Sequence, residues 1–286
     1  MVYLVSTAMS AKNAAEGISG VVRTYELLDR IRVGRDFAVR DDQLDFSLFL
    51  DAARIARVKR IRLTLLDTGR FGFVELEWLL AEGVRLCTSD EARPRPEELL
   101  RLLGAARRGR VRAAYLQRGR LPAVRAEGTM SVPDLQELGQ AGLDVHVSNL
   151  DEPRDLAALA EVVPFVREGG GFFVYYHHGR VEDGLVALAA CGAWSHLVDR
   201  LLDEAADGET LLAWARAAKG GGAGAVLHVE RGLTLETLQR LQAAGAYLIF
   251  KTPPSDRLSR LRPLEAAARR RKLPPRAFYL DTTLLP

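Results

Sequence analysis

Cysteine is scarce in this chain of 286 residues: Cys87 and Cys191 are the only two. Two thiols build no disulfide framework, so the fold must rest on its core, and a reducing cytoplasm is the expected setting. Lysine is almost as rare. Lys12, Lys59, Lys219, Lys251 and Lys272 are five of the 40 basic residues, and the other 35 are arginine. Long apolar runs are missing too; none approaches the roughly 20 residues that a spanning helix needs. The opening MVYLVSTAMSAKNA has no basic leader and too short an apolar stretch for a secretory signal. These absences predict a cytoplasmic protein with no membrane partner. No linker rich in Pro, Gly or Ser divides the chain, and Gly220–Gly222 reads as a loop between a helix and a strand. P-loop, GxGxxG, GxSxG and HExxH patterns are lacking. The net charge is +3, but basic residues are spread among acids and no nucleic-acid motif occurs. A small anionic ligand is the expected partner, rather than nucleic acid.

What the chain does have is internal repetition. Five stretches align: Gly34–Arg70, Gly83–Arg120, Gly142–Arg180, Gly192–Leu233 and Gly245–Leu284. The period is about 50 residues, within the range of repeat architectures. Each copy opens with Gly and a short apolar run (DFAVR, VRLCT, LDVHV, WSHLV, YLIFK). A polar pair ends the run: Arg40-Asp41, Ser89-Asp90, Ser148-Asn149, Val198-Asp199 or Lys251-Thr252. An Arg/Leu/Ala-rich helical segment follows, such as EELLRLLGAARR with Leu99, Leu100, Leu102 and Leu103 on one face. A second apolar run (IRLTLLD, RAAYLQ, FFVYYHH, AVLHVE, AFYLD) and a short helix complete the unit. Gly83, Gly142, Gly192 and Gly245 stand where a helix end needs a left-handed residue.

Each copy therefore reads β-α-β-α, which predicts an α/β fold with a parallel sheet covered by helices. The leading expectation is a closed, TIM-like β/α barrel with extra strands. Five copies give about ten strands, and Val2–Ser6 adds a candidate, against the usual eight. An open α/β solenoid is the alternative. Residues 1–33 read as an N-terminal strand and helix packed on the barrel, and 34–286 as the repeat domain.

Ligands of such folds lie beyond the C-terminal strand ends. The second-strand column there is Asp67, Gln117, His177, Glu230 and Asp281. Pointing inward together, Asp67, His177, Glu230 and Asp281 would divide acid and base roles or hold a divalent metal, zinc or manganese. Asp90, Asn149 and Asp199 form the neighbouring first-strand column. Tyr115, Tyr175 and Tyr279 share a column with Leu65 and His228 and read as packing. Cys87, His146 and His196 occupy one place in three consecutive copies, a weaker zinc set. Gly-Arg closes the second run at Arg70, Arg120 and Arg180, with Arg118 and Arg231 nearby. Guanidinium groups beside free backbone N–H groups suit phosphate or carboxylate. Gln117 and Lys251, at strand ends, join the ligand-binding candidates. The basic run Arg269–Lys272 reads as a solvent-facing helix end.

The segment SDEARPRPEELLRLL resembles the SDAH-type strand end of the polymerase-and-histidinol-phosphatase metal hydrolases. Glu91-Ala92 replaces the Ala-His pair and the family's other His motifs are missing, so no residue role transfers. The sequence thus leads to two expectations. One is an enzyme, a metal-assisted hydrolase acting on an anionic, in particular phosphorylated, substrate. The other is a non-catalytic α/β repeat scaffold that binds a protein or an anionic ligand.

Overall fold

The computed structural model describes residues 24–34, 36–125, 128–230, 233–250, 257–274 and 276–279. The expected strand at Val2–Ser6 lies outside them. Ten parallel strands alternate with helices, and neighbours in the sheet are neighbours in the chain. The order is α1 (Thr24–Val33), β1 (Phe37–Arg40), α2 (Phe46–Val58), β2 (Leu63–Leu66), α3 (Phe73–Ala81), β3 (Arg85–Ser89), α4 (Pro96–Gly109), β4 (Ala113–Gln117), α5 (Val132–Gln140) and β5 (Asp144–Ser148). It continues with α6 (Leu156–Glu168), β6 (Phe173–His177), α7 (Asp183–Ala190), β7 (Trp194–Val198), α8 (Glu204–Gly220), β8 (Ala225–Val229), α9 (Leu235–Ala244), β9 (Tyr247–Phe250), α10 (Arg257–Arg270) and β10 (Ala277–Tyr279). Every apolar run of the repeat is a strand. This is the parallel α/β architecture that the β-α-β-α units predict.

The elements follow from local chemistry. Helix α4 starts on Pro96 with Glu97 and Glu98 in its first turn and ends with Arg107 and Arg108, which suits its dipole. Its buried residues, Leu99, Leu102, Leu103 and Ala106, repeat at helical spacing. Asp155 caps α6 by accepting from the N–H groups of Ala157 and Ala158. Ser131 and Asp134 form a reciprocal capping box at α5. The opening glycines Gly83, Gly142, Gly192 and Gly245 have φ of +92°, +96°, +100° and +121°. A side chain would be strained there, which is why the repeat keeps Gly at this turn from helix into strand.

Contacts divide the chain into two compact units, the first ending at Val145 and the second beginning at His146. The division falls inside β5. In the first unit, Leu65 pairs with Leu86, and Thr88 pairs with Tyr115. Along β3 the burial alternates: Leu86 and Thr88 are buried, whereas Arg85, Cys87 and Ser89 are half-buried. At β3 one face is thus fully packed and the other is more open, whereas β4 is buried along its whole length. In the second unit, Tyr176, His196 and Val226 are register partners. Ser195, on the opposite face, accepts from the Trp214 indole of α8 at 2.7 Å, which identifies the helix-covered side. No helix among the described residues is long and apolar enough to cross a membrane.

Candidate functional site

The loops that follow the strands are tied down by one recurring device. Asp41, fully buried after β1, accepts from Thr68 N–H at 2.9 Å, Thr68 Oγ1 at 2.6 Å and Arg70 N–H at 3.0 Å. Asp90 accepts from the N–H groups of Arg118 at 3.1 Å and Gly119 at 2.6 Å. Asn149 accepts from His178 N–H at 2.6 Å. Asp199 accepts from Glu230 N–H at 2.8 Å. In four consecutive copies the residue closing the first strand thus fastens the loop after the second, 27 to 31 residues downstream. Buried loop N–H groups need such acceptors. The first-strand column that sequence alignment ranks second in chemistry is therefore the framework of the strand-end surface. The fifth pair, Lys251-Thr252, lies outside the described residues.

These ties use backbone N–H groups that the sequence reading left free for an anion. Asp41 holds Arg70 N–H, and Asp90 holds Arg118 and Gly119 N–H. The arginine column then separates into distinct roles. Arg70 donates to the Asp42 carbonyl at 2.8 Å. Arg180 pairs with Asp207 at 2.9 Å, and that hydrogen bond raises its pKa. Arg118 stands 3.7 Å from Glu91. Arg120 is exposed, and among the described residues its guanidinium has no hydrogen bond or ion pair. Its carbonyl accepts from Gln117 Nε2 at 3.1 Å, so its backbone is fixed while its side chain is uncommitted. Arg231 and Lys251 lie outside the described residues.

The second-strand column meets side chains already engaged. Asp67 Oδ2 accepts from Thr88 Oγ1 at 2.7 Å and from Arg93 Nε at 3.0 Å. Its Oδ1 accepts from Arg93 Nη2 at 3.2 Å and from Gly69 N–H at 2.9 Å. Its carboxylate is fully buried, and the acceptor positions a metal or a proton would use are filled. Gln117 accepts from the Tyr115 hydroxyl at 3.1 Å and donates to Asp90 Oδ2 at 3.0 Å. His177 Nε2 lies 2.7 Å from the Arg180 carbonyl, which only accepts, so Nε2 carries the proton. Its Nδ1 faces the Asn149 amide at 3.5 Å. Glu230 pairs with Arg200 at 3.0 Å. Asp281 lies outside the described residues. Among the described residues, no group of three or more His, Cys, Asp or Glu side chains is arranged to hold a metal ion. The expected metal-assisted hydrolysis through Asp67, His177 and Glu230 has no such centre behind it.

The weaker zinc set divides between the two units. Cys87 belongs to the first unit, and burial pushes its thiol up to about 12, away from the thiolate a metal would bind. His146 and His196 belong to a buried row in the second unit, with Tyr176 between them. His146 Nδ1 is 3.0 Å from the Tyr176 hydroxyl. The Tyr176 and His196 rings are 4.9 Å apart, and His196 Nδ1 is 3.0 Å from His228 Nε2. Burial lowers the His146 pKa to about 3. Burial, then His228 and His146, lower that of His196. His196 Nε2 is buried without a partner among the described residues. Neutral imidazoles stacked on a phenol form a polar layer inside the sheet. The sequence signal for it was present in His146, His196 and His228, but Tyr176 sits one residue from the tyrosine that alignment places in the column.

No protein-family model and no curated protein matches the chain. Among solved structures, it is similar to a tetrameric deoxyribose phosphate aldolase from Aeropyrum pernix, with 15% identity and a TM-score of 0.32 over 80% of this chain and 92% of that one. It is also similar to a chain described as a deoxyribose-phosphate aldolase from Toxoplasma gondii ME49, with 11% identity and a TM-score of 0.30 over 90% and 93%. Likeness of that degree carries no argument about substrate or reaction.

Proposed function

We propose that the protein binds a small anionic ligand, in particular a phosphorylated one, at the C-terminal strand ends of its first unit. Arg120 is the cation that meets it. The observation that supports this reading is the contrast within the arginine column. Arg70 and Arg180 are spent on internal bonds, whereas Arg120 presents an uncommitted guanidinium from a loop that Gln117 and Asp90 hold in place. A fixed backbone lowers the ordering entropy that binding must overcome, and a guanidinium fork matches phosphate oxygens. Arg95, exposed before α4 on the preceding loop, is a second cation at this end. It escapes the column because the repeat aligns strand ends, not helix starts. Arg118, named with Arg120 from the sequence, is partly neutralised by Glu91.

Calorimetric titration with inorganic phosphate and then with ribose 5-phosphate tests the reading. Arg120→Ala is expected to weaken binding about tenfold or more, the size of one charge-assisted hydrogen bond, while the melting temperature stays unchanged. Absence of binding by both probes, or equal affinity in the variant, would remove this function.

A further inference from the structure

We propose a second ligand surface, independent of the anion site: the N-terminal strand ends of the second unit are a platform for single-stranded nucleic acid. Trp194 opens β7, Tyr247 opens β9 and Phe278 lies in β10, all on one sheet face by register. Their rings are stacked. Trp194 and Tyr247 are 5.8 Å apart with planes 25° from parallel, and Tyr247 and Phe278 are 6.4 Å apart at 21°. Trp194 and Tyr247 stand two strands apart, and Gly224 immediately before β8 makes their contact possible, because a Cβ there would collide with the Trp194 ring. Phe278 is 46% exposed, so the row ends in an open aromatic face.

Positive charge accompanies the rings. Arg276 lies over the Tyr247 ring, 4.9 Å from its centroid, and donates to the Gly245 carbonyl. Helix α10 ends next to β10, and Arg269, Arg270, Arg271 and Lys272 at that end are all exposed. None of these four has an ion pair among the described residues. Glu265 is the single acid between Leu261 and Arg276. Along the whole sequence the cations are spread among acids, but in this stretch they are not. In the fold this run ends the helix that leads directly into β10, the strand that carries Phe278.

Cations that track a phosphate backbone, next to aromatic faces that accept bases, suit single strands. A duplex hides its base faces, and an acidic peptide has no flat rings to set on Phe278.

Fluorescence anisotropy with a 5′-fluorescein dT15 oligonucleotide tests the proposal on the full chain. Binding is expected at 50 mM salt and falls steeply by 200 mM, as counterion release requires. Arg269→Ala with Arg270→Ala is expected to weaken it about tenfold and to flatten the salt dependence. Phe278→Ala is expected to weaken it about tenfold with the salt dependence unchanged, the size of one base–aromatic stack, and Phe278→Tyr retains affinity. No binding at 50 mM salt, full affinity in Phe278→Ala, or equal competition by polyglutamate would each overturn the proposal.

Discussion

Lowering the pH from 7 to 5 is expected to reduce stability by about 2 kcal/mol through the buried imidazole of His146, with a further loss from His196. Burial holds the His146 pKa at about 3 in the folded protein, and that of His196 is also depressed. In the unfolded chain both return to about 6.5. A group depressed on folding binds fewer protons in the native state. Its contribution is therefore complete above the unfolded pKa and is lost as pH falls toward the folded one. Between pH 7 and 5 His146 loses about 2 kcal/mol by this linkage, and His196 adds to the loss in the same direction. Urea unfolding at the two pH values measures the difference. His146→Leu removes the first contribution, keeps that of His196, and is expected to reduce the pH-dependent loss by about 2 kcal/mol. A pH-independent urea midpoint, or an unaltered loss in His146→Leu, would contradict the buried neutral row.

Asp67→Ala is the substitution with the other large effect, an expected loss of about 3–5 kcal/mol, the range for breaking a buried ion pair from one side. Removing the carboxylate strands the Arg93 guanidinium, whose side chain is 11% exposed, and deprives Thr88 Oγ1 and Gly69 N–H of their acceptor. Thr88→Val removes one neutral donor with its shape retained and is expected to cost about 1 kcal/mol. Chemical denaturation of the purified variants reads both. A catalytic Asp67 would show the reverse pattern: activity lost, stability kept or raised.

The strands were legible because apolar runs between Gly and a polar pair leave little choice of structure, and the parallel order followed from their alternation with helices. The helix-end glycines were equally readable, since positive φ excludes most other residues. The direction of side chains was not. Aligning strand ends puts Tyr175 level with His228, yet register pairs Tyr176 with His196 and Val226, so His177 and His228 face opposite sides of the sheet. One residue of offset reverses every facing in a strand, and similarity between copies does not fix that offset. Nor does spacing reveal that Asp67 has an arginine partner 26 residues later in Arg93. The column whose residue types suit catalysis thus spends its polar atoms on structure. The modest column beside it, Asp41, Asp90, Asn149 and Asp199, turned out to position the loops.

Because each of those four residues grips a loop within its own repeat, the fastening of one strand-end loop makes no demand on the loops of the other copies. The architecture is suited to diversification by swapping short surface inserts, one copy at a time, with the neighbouring copies left as they are.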